Sequence, residues 1–232
     1  MGRLMATCLL AVAMVWGCAD ERSSTPGAVV ESLEPGEAAA VAGLEPGDLV
    51  TEWRHGHAVG DVVSPFHLAL VEQELAPHGP VELVVHRDGH CRRVVLPTGQ
   101  WKLRTRPVLP PAALASHLEA RQLAENGDVD GAVRRWQELA AELAARDRAL
   151  DAAWLRAEAA VALARGGRPE ACRAALDEGA AAITDRALLA AYRERAGDGL
   201  LAAGQTALAA DLFRLAADLA AAQAPASPAV AF

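Results

Sequence analysis

The chain has 232 residues, enough for one large or two small domains, and a formal net charge of −8. That charge argues against nucleic acid as a partner, which would want a basic face of clustered lysine and arginine. About half of the chain is apolar but only 4% is aromatic, and its alanine, concentrated in the second half, favours helix there.

The first residues read as an address rather than as fold. Arg3 supplies a minimal positive region, and Leu4–Trp16 is an apolar stretch too short to span a bilayer as a mature helix. It ends in Val15-Trp16-Gly17-Cys18, which resembles a bacterial lipoprotein processing site, with Gly17 and Cys18 matching and Trp16 bulkier than the pattern. The resemblance implies a signal peptide over residues 1–17 and a lipidated Cys18, anchored firmly because more than one acyl chain is attached. Ala19 at the next position implies the outer membrane, with the protein facing the periplasm; the alternative is an ordinary secretory signal and a secreted protein. With Cys8 in the signal and Cys18 on lipid, Cys91 and Cys172 remain, one in each half, and are expected as two separate thiols.

Residues 18–26 form a polar tether. The first strand is expected over Ala28–Leu33, followed by a turn at Pro35-Gly36 and a short helix, Glu37–Ala42, whose alanines let it sit close to a sheet. Gly43 ends that helix and Leu44 returns to the core as its cap contact. Pro46-Gly47-Asp48 turns the chain into a strand from Leu49 through Arg54, with His55-Gly56-His57 as its turn. Ser64-Pro65 reads as N-cap and first position of a helix with Phe66, Leu68, Leu70, Val71 and Leu75 on its apolar positions. Pro77–Pro80 closes it. Val81–Val85 and Arg92–Leu96 then alternate as a hairpin around Asp88-Gly89.

Ala40, Ala42, Gly43, Leu44, Gly47 and Asp48 stand in the order A-x-A-G-L-x-x-G-D, and this stretch resembles the centre of a bacterial PDZ domain of the periplasmic-protease type, over residues 27–97. The resemblance implies a small β-rich module that takes an extended peptide as an added strand between a sheet edge and the Ser64-capped helix. Val29, Val30, Phe66, Leu68 and Val71 are the implied peptide-binding residues. No carboxylate-cradling run of the family's kind occurs among residues 19–26, so strand addition by an internal peptide is the expected mode.

Residues 98–111 read as a stiff linker. Trp101 and Leu103 alternate with Lys102 and Arg104 in an extended, docked segment with Trp101 as an anchor between domains, and Pro107, Pro110 and Pro111 stiffen the approach to the helices. From residue 112 to 223 the period becomes that of helices, and an internal repeat emerges: Gly127…Ala132…Trp136, Gly166…Ala171…Ala175 and Gly204…Ala209…Phe213 align, with the glycines 39 and 38 residues apart. This is similar to a degenerate tetratricopeptide (TPR) array. The implied fold class is α+β multidomain, a PDZ-like β-rich domain followed by an all-α array of antiparallel helical hairpins. The family's concave face is lined by the first helix of each unit, which places His117, Arg121, Arg156, Glu194 and Asp198 there as the expected partner-binding set. Residues 224–232, rich in Ala and Pro, are expected to be disordered, and a free Phe232 is the kind of terminus that PDZ domains capture.

Chemistry is harder to find. His55-x-His57 and His86-x-x-x-His90-Cys91 are the metal-like spacings, yet they fall on turns and strand ends without the convergent ligands that a metal needs. Ser64 is accounted for as a cap, and His90 and Cys91, adjacent on a strand, point to opposite faces. No catalytic residues, metal or cofactor are therefore expected, and the partners implied are proteins or peptides. The residues leave three functions open: a non-catalytic envelope scaffold, a regulatory or substrate-presenting accessory of an envelope protease, and a purely structural lipoprotein.

Overall fold

The computed structural model describes residues 25–222; the signal segment, Cys18 and the tail containing Phe232 lie outside the described residues. The fold is α+β, an antiparallel sheet of six strands with two helices, followed by six more helices in sequence.

β1 (Ala28–Leu33) leads through the Pro35-Gly36 turn into the one-turn helix α1 (Ala38–Val41). Gly43 takes φ of +89°, a conformation that side-chain-bearing residues resist, and Leu44 drops into the core beside it. Asp48 is almost fully buried. Its carboxylate accepts the Glu45 N–H at 2.9 Å and two Arg87 donors at 2.6 and 2.7 Å, while Arg87 also donates to the Gly43 carbonyl at 2.8 Å. The Gly-Asp pair thus ties the α1 loop to the far end of the hairpin, and Asp48 holds the Arg87 guanidinium above its usual pKa.

β2 (Leu49–His55) turns at Gly56-His57 into β3 (Ala58–Asp61), a strand not among the sequence expectations. Gly60 and the exposed Val59 give β3 no apolar alternation, and it forms because its backbone pairs with the far half of β2. α2 (Pro65–Glu74) starts at Ser64 as expected, but the Ser64 hydroxyl meets His67 Nδ1 at 2.9 Å instead of a backbone N–H. A short 3₁₀ turn, Ala76–His78, follows. β4 (Val81–Arg87) and β5 (His90–Leu96) are joined at Asp88 and Gly89, both with positive φ, the conformation that suits strand twist in a two-residue hairpin loop.

The expected linker departs from the structure most. Leu103–Pro107 is β6, an edge strand paired antiparallel to β1 from Ala28↔Pro107 to Leu33↔Leu103. The sheet order is β5-β4-β2-β1-β6, with β3 beside β2. Trp101 is not an anchor between the two halves: it is fully buried in the sheet core with Val30, Leu68, Val71, Leu83 and Leu96. Its backbone N–H donates to Glu72 at 2.6 Å and its indole N–H to the Pro97 carbonyl at 3.1 Å.

The remaining helices are α3 (Pro111–Glu125), α4 (Val129–Ala144), α5 (Ala149–Arg165), α6 (Pro169–Ala181), α7 (Arg186–Ala202) and α8 (Thr206–Ala221). They form successive hairpins with short turns at Gly127, Gly166-Gly167 and Gly204, in line with the repeat. In the middle unit the left-handed position falls on Gly167 (φ +71°), one residue beyond the glycine that the alignment selects. Asp128 and Asp185 cap α4 and α7, accepting N–H groups at 2.8–3.0 Å. Trp136, Leu143, Trp154, Leu155, Leu163, Tyr192 and Leu200 fill the core, and small residues let the helices close up: a Cβ on Gly197 would stand 2.6 Å from the Phe213 ring. Ion pairs link successive units, Arg168 with Asp130 and Arg173 with Asp211. Cys91 is exposed and Cys172 buried, and both are free thiols; burial pushes Cys172 up to about 11.

Candidate functional site

Two surfaces carry the expected binding residues, and in the folded chain they face each other. α2 has two apolar faces. Leu68 and Val71 point into the sheet core, whereas Phe66, Ala69 and Leu70 join the core of the helical array. Phe66 is fully buried and meets Tyr192 of α7 edge to face, ring centroids 5.5 Å apart, a geometry that adds about 0.5–1.5 kcal/mol beyond the area buried. The Tyr192 hydroxyl donates to the Leu176 carbonyl at 3.0 Å, and burial pushes its phenol pKa up.

The edge of β6 is closed by the same helix. Arg195 donates to the Thr105 carbonyl at 2.9 Å, lies 5.9 Å from the Trp154 ring centre, and has Glu158 at 3.9 Å. Glu158 also faces Arg104 at 3.7 Å. An unpaired edge carbonyl thus finds its donor in a side chain, where another strand would otherwise supply one.

A second joint lies farther along β1. The Glu31 carboxylate, nearly buried, is reached by Arg121 of α3 at 3.3 Å, by His117 Nε2 at 3.7 Å and by Arg106 of β6 at 3.9 Å. Burial raises the Glu31 pKa, but His117, Arg121 and Arg104 more than offset it and hold the group below its ordinary value. The Trp136 indole N–H donates to His117 Nδ1 at 3.0 Å. That bond makes Nδ1 the acceptor and puts the neutral ring's proton on Nε2, aimed at Glu31. At 3.7 Å the contact with Glu31 is electrostatic attraction, too long for a hydrogen bond.

The expected peptide-binding residues are therefore not on an open groove. Val29 and Val30 lie on the part of β1 that is bonded to β2 and the turn before it on one side and to β6 on the other, so neither offers a free edge. Leu68 and Val71 are core, and Phe66 is covered by Tyr192. Of the expected partner-binding set, His117 is fully buried, Arg121 is engaged by Glu31, and Arg156 pairs with Glu178 at 2.9 Å. Glu194 is half-buried and Asp198 exposed on α7, with Asp198 close enough to act on both Glu72 and Glu194. Burial raises the pKa of all three carboxyls, with Asp198 adding repulsion at Glu72 and Glu194.

Glu31, Thr105, Tyr192 and Arg195 were not legible as partners, because the contacts Glu31–Arg121 and Thr105–Arg195 each span 90 residues. A cleft of about 430 Å³ opens beside this junction, lined by Thr25–Gly27, Val63, Val108 and the Asp147–Asp151 stretch. The Arg148–Asp151 ion pair (2.6 Å) lies on its lining. Among the described residues, no three His, Cys, Asp or Glu side chains converge as a metal ligand set, and no helix is long and apolar enough to cross a membrane. No family model matches the chain, and no curated protein matches it.

Proposed function

We propose that this protein is a non-catalytic, protein-binding scaffold of a bacterial envelope, a PDZ-like module joined to a TPR-like array and held at the membrane by lipid on Cys18. The observation that carries the reading is the joint itself. Phe66–Tyr192, Thr105–Arg195 and Glu31–Arg121 lock the two halves into a single platform, which suits holding partners at fixed separation. A scaffold of this kind meets its partners on the faces that the seam leaves uncovered.

The test is cross-linking in cells with the full chain, followed by identification of the attached proteins. A reproducible set of protein partners is expected, together with unchanged proteolysis of envelope substrates when the protein is removed. Altered proteolysis and a protease among the partners would move the assignment to a protease accessory. Turnover of any substrate by the purified chain would overturn it. Cys18→Ser should shift the protein from the membrane to the soluble fraction and abolish incorporation of labelled fatty acid.

A further inference from the structure

The sheet has two ends, and the array closes only one of them. At the other lies β5, which among the described residues pairs with β4 alone. Its ladder runs through seven consecutive residue pairs, Val81↔Leu96 to Arg87↔His90, without the register shift seen in the β1–β6 and β2–β4 ladders. The usual guards of an edge strand are proline, a bulge, a covering element or charge. β5 has no proline and no bulge in its ladder. Its guard is charge: Arg92 and Arg93 stand exposed in mid-strand, with His90 and Cys91 before them. Val95 is 56% exposed, whereas Val94 and Leu96 are buried.

We propose that the outer edge of β5 takes an added strand, and that the occupant is an acidic extended segment of a partner protein. This rests on the reading of the protein as a binding scaffold and moves strand addition from the edge that the PDZ resemblance implies to the opposite one. The chemistry selects the partner. Arg93, Val95 and Cys91 share one face of the strand and Arg92, Val94 and Leu96 the other, so a strand laid alongside meets a cation on each face and then an apolar pair. In an antiparallel addition, as everywhere else in this sheet, two branched apolar residues followed by two adjacent carboxylates complement both. A second copy does not: in a two-fold antiparallel pairing centred on the strand, Arg93 would oppose its own copy, and like charges directly opposite are destabilising. The chain's net charge of −8 does not prevent this, because interactions beyond about 8–10 Å are screened at physiological salt and the local arginines dominate at contact.

The experiment uses the full chain and a short fluorescein-labelled peptide in which two valines precede two glutamates. Three comparison peptides accompany it: one with lysines for the glutamates, one with scrambled order, and one N-methylated at alternate residues, which keeps the charge and removes backbone pairing. The acidic peptide should bind and protect β5 amides from hydrogen exchange, while the lysine and N-methylated forms bind at least about tenfold more weakly. Combined Arg92→Glu and Arg93→Glu should weaken the acidic peptide about tenfold and reverse the preference toward lysine. Equal binding of the N-methylated form, protection elsewhere than β5, indifference to the arginine reversal, or a concentration-dependent dimer that competes with the peptide would each overturn the proposal. Partners cross-linked in cells but mapping to other faces would sink this inference and leave the scaffold reading standing. Absence of any partner in cells, with the peptide still bound, would do the reverse.

Discussion

β6 and β5 terminate the same sheet, and both are edge strands carrying two arginines. Along β6, Arg104 finds Glu158 across the seam, Arg106 reaches Glu31 on the adjacent strand, and the Thr105 carbonyl receives Arg195 from across the seam. Along β5, Arg93 reaches Glu82 on the adjacent strand, and among the described residues no strand pairs with its outer side. Residue type therefore does not decide whether an edge is closed. What decides it is whether another element, placed by its own packing, brings complementary groups to that edge.

Substitutions at the two edges should differ in size accordingly. Phe66→Ala removes the ring shared by α2 and α7 and should cost about 3–5 kcal/mol in denaturant unfolding, while Val95→Ala on β5 should stay within about 0.5 kcal/mol. Equal effects would mean that the two halves are not joined as described. Arg195→Met keeps side-chain length but strands the Thr105 carbonyl, and a loss of about 1–3 kcal/mol is expected. Arg195→Lys should recover part of it, since a single donor can still reach.

The pH profile sharpens the comparison further, because Glu31, Glu72, Glu194 and Asp198, whose pKa values are shifted, lie on the side of the sheet that the array closes. Burial raises the folded-state pKa of Glu72, Glu194 and Asp198 above their ordinary 4.5, 4.5 and 3.8. A raised carboxyl binds its proton more readily in the folded state, so stability grows as the pH falls through the raised values toward the ordinary ones. Glu31 runs the other way: its lowered pKa contributes stability above 4.5 that is lost as the pH falls through its folded value. These carboxyls should therefore raise the thermal midpoint as the pH falls toward about 4.5, with the half-buried His67, whose pKa is lowered from 6.5, opposing the rise, and Glu31 should lower the midpoint below 4.5. Glu72→Gln should flatten the rise, because the amide oxygen can still accept the Trp101 N–H. The smallest effect expected is from Val59→Thr on the exposed β3, within about 0.5 kcal/mol.

The sequence made local structure legible wherever a few adjacent residues determine it. The apolar run Ala28–Leu33, the Ser64-Pro65 start of α2, the Asp88-Gly89 hairpin and the glycine-spaced helix pairs all lie where local pattern puts them. β6 was partly visible: the alternation of Trp101 and Leu103 with Lys102 and Arg104 was there, but its pairing partner, β1, is 70 to 79 residues away and no local pattern names a distant strand. The fate of the binding residues was less legible still. Phe66 satisfies the pattern of a groove wall and that of a core residue equally well, and only the position of Tyr192 separates them. His117 reads as a polar residue on a helix face, yet Trp136 and Glu31 make it an interior group.

The span between Thr105 and Arg195 has a consequence for biogenesis. The carbonyl and its donor are 90 residues apart, so a chain emerging from the ribosome amino end first presents its whole sheet before the helix that closes it exists. At common translation speeds that interval lasts roughly 5–20 s. Until α7 has followed, at the ribosome or on the far side of a membrane, the rim of β6 and the ring of Phe66 lack the groups that cover them, which makes this window, rather than the finished protein, the moment when a holding chaperone has most to cover.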